Sequence, residues 1–238
     1  MTASEIKYIK SLSQKKFRDE YGVFAVEGEK LVQEALKSGF EVEKVFRKEE
    51  IGEAAMARIS ALSSPSPVLA LVRIPESRME APRDGLYLAL DGIRDPGNLG
   101  TILRVADWFG IDAVFASEDT VDVFNPKVVQ ATMGAIFRVK FHYTDIPALC
   151  QSALQAGGAV YGTFLDGENI YEKSLSNGVE RPSVVVIGNE ANGISAATAA
   201  CVSERLYIPP FPADDPGSES LNAAVATAIT VAEFRRRA

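Results

Sequence analysis

The chain is poor in the residues on which many chemistries depend. Its 238 residues include one histidine and two cysteines. Cys150 and Cys201 stand far apart and outside any metal-ligand spacing, so neither a thiolate metal site nor a disulfide is expected, and a reducing cytoplasm is the natural compartment. His142 belongs to no motif, and a lone histidine is more often structural or superficial than a general base. No apolar run approaches the roughly 20 residues that cross a bilayer. The N-terminal Met-Thr-Ala-Ser-Glu-Ile-Lys lacks the apolar centre of a secretory signal. Neither a metal nor a membrane partner is expected, and the chain has no internal repeat or low-complexity tract.

Positive charge is scarce as well. The net charge is −7, which argues mildly against nucleic acid as a partner. Phosphate binding needs local rather than global charge, however. Between Ile6 and Arg18 stand Lys7, Lys10, Lys15, Lys16 and Arg18, with no acid among them. Such a run is either a solvated helix face or a patch that meets phosphate.

Hydrophobic residues make up 47% of the chain, enough for an ordinary globular protein. Helix and strand signals alternate throughout, which predicts an α/β class. In the first third the pattern predicts helices over 6–18, 29–38 (Leu31, Ala35 and Leu36 on the apolar face, Gly39 as C-cap) and 51–62. Strands are predicted over 21–28, 40–47 and 67–72. A polar stretch with two prolines follows and reads as a linker. The expected division is a small α/β domain over 1–75, a linker over 76–84 and a second domain over 85–238. In the second domain strands are predicted over 86–90, 113–116, 137–141, 159–164, 184–187 and 206–208. Helices are predicted over 99–109, 126–133, 146–156, 196–201 and 220–237, at the spacing of βαβ units and a parallel sheet. The last helix carries an apolar stripe of Leu221, Val225, Ile229 and Ala232, with Ala223, Ala224, Ala226, Thr227, Ala228 and Thr230 between.

Three segments of this second domain form a set. They are Leu90-Asp-Gly-Ile-Arg-Asp-Pro-Gly-Asn-Leu-Gly-Thr-Ile-Leu-Arg104, Val184-Val-Val-Ile-Gly-Asn-Glu-Ala-Asn-Gly-Ile-Ser195, and Ile208-Pro-Pro with Glu219-Ser-Leu-Asn-Ala-Ala-Val225. Each leads from an apolar run into a turn of glycine, asparagine and small polar residues. Strand ends that open into such loops are where open α/β sheets keep their ligands.

In order and residue type the three segments resemble the motifs of the SpoU/TrmH class of SPOUT RNA methyltransferases. The match falls on Asn98 and Arg104, then on Gly188, Glu190, Gly193 and Ser195, then on Ile208, Pro209, Ser220, Leu221 and Asn222. The segment from Phe24 to Leu36 looks like the substrate-binding domain of many SpoU enzymes, similar to a ribosomal RNA-binding protein. The resemblance implies methyl transfer from S-adenosylmethionine to a ribose 2′-hydroxyl of RNA, with rRNA ahead of tRNA. It further implies a homodimer built through the final helix and the 99–109 helix. It also implies a deep trefoil knot in the C-terminal parallel-sheet domain, which no pattern in the sequence foretells. With the family in hand, the basic run of Lys7, Lys10, Lys15, Lys16 and Arg18 becomes an RNA-contacting patch.

Methyl transfer from a sulfonium asks the protein to hold the hydroxyl in line and to help remove its proton. The resemblance assigns that work to Arg104, supported by Asn98, Glu190, Ser220 and Asn222. A guanidinium is a poor base. Arg104 is therefore either a residue made neutral by its site, with an RNA phosphate taking part, or an electrostatic clamp. Adenosine needs apolar walls and backbone hydrogen bonds. The contacts implied are Gly188, Ile208 and Leu221, with Thr163, Asn189 and Pro209 beside them. The loop from Pro210 to Glu219 is longer and more acidic than the family norm, yet its spacing fits no metal motif. Two rivals stand against this reading. A dinucleotide dehydrogenase is disfavoured because Gly92, Gly97 and Gly100 do not have the G-x-G-x-x-G spacing. A non-catalytic RNA-binding ribosome-assembly factor is disfavoured by the presence of Asn98, Arg104, Glu190, Ser220 and Asn222.

Overall fold

A computed structural model describes residues 1–76, 79–176, 178–212 and 219–236. In chain order the first elements are α1 (Ala3–Ser11), α2 (Lys15–Tyr21), β1 (Val23–Glu27), α3 (Glu29–Lys37) and β2 (Val42–Arg47). Next come α4 (Lys48–Ile51), α5 (Glu53–Ile59), β3 (Val68–Arg73), β4 (Gly85–Asp91) and α6 (Pro96–Trp108). Then follow β5 (Ala113–Ala116), α7 (Pro126–Thr132), a 3₁₀ turn (Ala135–Phe137), β6 (Phe141–Tyr143) and α8 (Ile146–Gln155). The chain ends with β7 (Ala159–Asn169), β8 (Pro182–Gly188), α9 (Ala196–Ala199), β9 (Glu204–Tyr207) and α10 (Ala223–Arg236). These elements form two compact units. One comprises Met1–Glu76 with Asp122–Arg138, and the other Ser77–Val121 with Val139–Ala238. The segment Asp122–Arg138, which carries α7, groups with the N-terminal residues in the first unit.

In the N-terminal unit β3 lies between β1 and β2, antiparallel to both. The helix expected over 6–18 is two helices. Ser11 Oγ donates to the Tyr8 carbonyl at 2.6 Å and Ser13 Oγ to that of Lys10 at 2.8 Å, the local competition by which serine interrupts a helix. The helix expected over 51–62 likewise breaks at Gly52, whose φ of +82° suits glycine. Leu36, expected on the apolar face of α3, is exposed, and Ser38 rather than Gly39 caps that helix. At the N-terminus Thr2 and Glu5 form a reciprocal capping box. The Thr2 backbone N–H, then Lys44, hold the Glu5 carboxyl at about 2.

Arg18 corrects the sequence reading most. Expected on an RNA-facing patch, it is only 2% exposed. Its Nε donates to Asp122 Oδ2 at 3.1 Å, its Nη2 pairs with the same oxygen, and its Nη1 donates to the Leu12 carbonyl at 2.7 Å. The partner lies 104 residues away, beyond any local pattern. Phe124 and Phe137 join the same seam, packing on Phe24 and Phe40, and Gln130 Nε2 donates to the Glu27 carbonyl at 2.6 Å. Of the other predicted RNA contacts, Lys7, Lys10, Lys15 and Lys16 are exposed, although Lys15 pairs with Asp19 at 2.7 Å.

The second unit is a six-stranded parallel sheet in the order β6-β5-β4-β8-β7-β9. Strands covered on both faces read as unbroken apolar runs, and Val184, Val185, Val186 and Ile187 are all buried. From β4 the chain winds outward through β5 and β6, then returns to place β8 on the other side of β4. The carboxyl ends of β4 and β8 therefore meet at the point where the winding reverses, with Asp91 opposite Gly188, the position that favours a ligand site.

Several boundaries move. The strand expected at 137–141 is β6, because Gly134 (φ +99°) turns the chain into the 3₁₀ turn first. His142 thereby falls inside a strand. β7 runs five residues past its expected end, to Asn169, through a register shift between Thr163 and Glu168. The apolar stripe expected on α10 is out of phase. Leu221 and Val225 are each 48% exposed, while Ala223, Ala224, Thr227, Thr230, Val231 and Phe234 are buried. The small residues face inward, where α10 packs on α6. Arg237, expected in the last turn of that helix, lies outside the described residues. No helix among the described residues is long and apolar enough to cross a membrane.

Candidate active site

The β4–α6 junction is built from a strong local signal. Asp95 caps α6, with Pro96 in its first turn, the arrangement that proline's fixed φ and missing N–H favour. The Asp95 carboxylate accepts from the Asn98 backbone N–H at 2.8 Å. Asn98 is thus held in the first turn of the helix rather than in a loop. Its side-chain Nδ2 donates to Glu190 Oε1 at 2.8 Å, and its Oδ1 accepts from Asn222 Nδ2 at 2.8 Å. Asn222 in turn caps α10, its Oδ1 accepting from the backbone N–H groups of Ala224 at 2.9 Å and Val225 at 3.3 Å. One chain of side-chain hydrogen bonds, Asn222 to Asn98 to Glu190, therefore ties together all three sequence segments. Ser220 lies upstream of the helix and is exposed.

The turn after β8 is tied to the loop after β4. Asn189 and Gly193 exchange backbone hydrogen bonds at 2.9 Å. Asn189 Nδ2 donates to the Gly92 carbonyl at 2.6 Å, and its Oδ1 accepts from Ala191 and Asn192 at 2.9 and 3.1 Å. Gly188 leaves no room for a side chain, since a Cβ there would lie 2.3 Å from the Gly193 carbonyl carbon. Ser195 donates its backbone N–H to the buried Asp91 carboxylate at 2.8 Å and caps α9 with its hydroxyl. Asp91, Asp95 and the lacing role of Asn189 were not singled out from the sequence. Asp-Pro before an apolar helical pattern is the signal that could have found Asp95.

Arg104 is not part of this chain. Six residues separate it from Asn98, about 9 Å along the helix and about 240° around it. Its side chain is exposed and forms no hydrogen bond or ion pair with a described residue, Asp107 and Glu190 included. Among the residues assigned to the cofactor, Thr163 donates its hydroxyl to the Val186 carbonyl at 3.3 Å. Ile208 and Pro209 are half-buried just past the last ladder pair, Asn169 with Tyr207. Partly exposed apolar groups next to backbone that has left the ladder are what an adenosine requires, so these residues fit the cofactor that the motifs imply.

His142 stacks on Phe115 with ring centroids 5.7 Å apart, and burial, followed by Lys140, pushes its imidazole below the ordinary range. It is a packing residue. Cys150 and Cys201 are free thiols, and burial pushes Cys150 up to about 12, far from the reactive range. No cluster of histidine, cysteine or acid among the described residues is arranged to hold a metal. Residues 213–218 of the acidic loop lie outside the described residues.

Residues 85–232 match the SpoU rRNA Methylase family, and residues 3–69 the MRM3-like substrate binding domain. The chain is 32% identical to the 23S rRNA (guanosine(2553)-2′-O)-methyltransferase RlmP of Bacillus subtilis, over 97% of its own length and 96% of the relative's. It superimposes on an AdoMet-bound rRNA methyltransferase from Sinorhizobium meliloti with a TM-score of 0.88 and 30% identity, covering 100% of this chain and 96% of the other. A TrmH-family protein of Porphyromonas gingivalis gives the same TM-score at 38% identity, covering 100% and 99%.

Proposed function

The chain belongs to the SpoU rRNA methylase family, and from that premise we propose that it methylates a ribose 2′-hydroxyl of RNA, with rRNA ahead of tRNA as substrate and S-adenosylmethionine as methyl donor. The observation that carries this reading is the Asn222–Asn98–Glu190 hydrogen-bond chain at the β4/β8 switch point. When bound, the donor supplies an electrophilic methyl on a sulfonium. The protein's own work is then to place a hydroxyl in line with it and to manage the proton and charge. The exposed Glu190 carboxylate, its angle fixed by Asn98, takes a hydrogen bond from the ribose. Arg104, a cation without a protein partner among the described residues, clamps an RNA phosphate and stabilises the developing charge. Ser220 completes the hydroxyl's surroundings. Ile208, Pro209 and Leu221 face the adenosine, with Thr163 at its edge, while Gly188 and Asn189 shape the turn that receives it. Calorimetric titration is expected to show binding of S-adenosylmethionine and none of NAD; the reverse would return the fold to the dehydrogenases.

The N-terminal unit grips the RNA through Lys7, Lys10, Lys15 and Lys16. Reversing these four charges should weaken RNA affinity and flatten its salt dependence, because fewer counterions are released. Affinity unchanged at every salt concentration would make α1 and α2 merely solvated helices.

The catalytic unit pairs with a second copy through α6 and α10, and its C-terminal part is threaded as a trefoil knot. Trp108 on α6 is 85% exposed and Val225 on α10 is also open, apolar surface that a standard interface of roughly 1,600 Å² would cover. Light scattering at micromolar concentration is expected to give twice the 25.7 kDa of one chain. A fully active monomer would rule the pairing out. The cytoplasm, where rRNA is assembled and thiols stay reduced, is the compartment that this function suits.

A further inference from the structure

The N-terminal unit holds a cavity of about 530 Å³, within the size range of sites that take small molecules. Its inner surface is apolar, formed by Ile9, Leu12, Ile59 and Leu69, and one wall is α7, with Lys127, Gln130 and Ala131. The buried acid beside it is already satisfied. The Glu27 carboxylate accepts from Ser60 Oγ and from the backbone N–H groups of Ala61 at 3.0 Å and Ser66 at 3.1 Å. The Glu27 carbonyl accepts from Gln130 Nε2. That bond fixes the Gln130 amide and leaves its Oε1 as an acceptor with no partner among the described residues. Lys10 and Lys127 also border the cavity, and both are exposed and form no ion pair with a described residue.

We infer that this cavity receives an unstacked nucleobase of the RNA, with neighbouring phosphates on Lys10 and Lys127. The inference rests on the RNA-binding reading of this unit and adds a site to it. Single-stranded RNA is read by splaying bases out of the stack into pockets that cover their faces and bond their edges. Here the apolar walls cover the faces, and the two ammonium groups give the anionic backbone its local positive charge in a chain of net negative charge. The free Gln130 acceptor matches the exocyclic amino group of adenine, guanine or cytosine, whereas uracil has no amino group and offers only its ring N3–H.

The test uses the full chain with short fluorescent oligo(A) and oligo(U), and AMP as the free nucleotide. Ala131→Trp, which fills the cavity without removing charge, is expected to weaken oligo(A) binding at least about tenfold, or about 1.4 kcal/mol, and to leave the salt slope unchanged. Lys127→Gln is expected to lower that slope by about 0.7, the share of one phosphate on a single strand. Oligo(A) should bind more tightly than oligo(U). Ala131→Trp affinity within twofold of wild type, with RNA still bound, would overturn the cavity's role and leave the RNA reading standing. Failure of the wild type to bind either oligonucleotide would overturn both. AMP bound as tightly as oligo(A) would assign the cavity to a free nucleotide and overturn the inference. Because Ala131→Trp could unfold the unit, photocrosslinking of azidoadenine-bearing oligo(A) to wild type gives a second reading. Label on 59–62 or 126–131 supports the site, and label confined elsewhere overturns it.

Discussion

Arg104→Ala is expected to lower methyl transfer at least about a thousandfold, about 4 kcal/mol of transition-state stabilisation, while S-adenosylmethionine affinity changes by less than about tenfold, or 1.4 kcal/mol. The asymmetry follows from geometry. Arg104 stands on α6 outside the hydrogen-bond chain that joins the three loops and forms no ion pair with a described residue. Removing it should disturb neither the turn after β8 nor the segment after β9. An arginine that stays a cation cannot serve as an ordinary base, so on the proposed reading its contribution is to clamp phosphate and offset charge as the hydroxyl attacks. Arg104→Lys should recover only part of the rate, because an ammonium cannot form the bidentate grip. A tritiated-methyl assay beside calorimetry decides the matter. An active Arg104→Ala protein, or one that had lost the cofactor, would end this division of labour.

Asp122→Ala is expected to destabilise the N-terminal unit by about 3 kcal/mol. Without Asp122 the buried Arg18 guanidinium keeps only the Leu12 carbonyl as a described partner. An uncompensated buried charge is costly, whereas replacing both partners by apolar residues is often neutral. Arg18→Met with Asp122→Leu should therefore regain most of the loss. Urea unfolding followed by circular dichroism measures both. A single variant within about 0.5 kcal/mol of wild type would mean that the pair does not hold the α7 segment in place.

The candidate site's hydrogen-bonded side chains were legible where their chemistry is local. Asn98, Glu190 and Asn222 each sit where an apolar run opens into small polar residues, and these are the three side chains that the fold joins. Their roles were less legible, because asparagine serves caps, turns and ligands alike. Asn222 turns out to cap α10 and to bond Asn98 at once. Arg18 misled because charge along one helix says nothing of a partner 104 residues away. The stripe on α10 misled for a related reason. Large side chains fit the helical period, but the buried face of α10 is made of alanine and threonine with Val231 and Phe234, the last packed edge-on against Tyr161 of β7. The breaks at Ser11–Ser13 and Gly52 were written in the sequence as serine back-bonding and a positive-φ glycine, signals weaker than the periodicity around them.

The most direct test of the central claim supplies purified protein and methyl-tritiated S-adenosylmethionine to rRNA from a strain that lacks the gene, and digests the product to nucleosides. Label in a single 2′-O-methylated nucleoside, absent when rRNA from the parent strain is the substrate, is the result expected. Label in a base-methylated nucleoside, or no label in RNA although the cofactor binds, would contradict it.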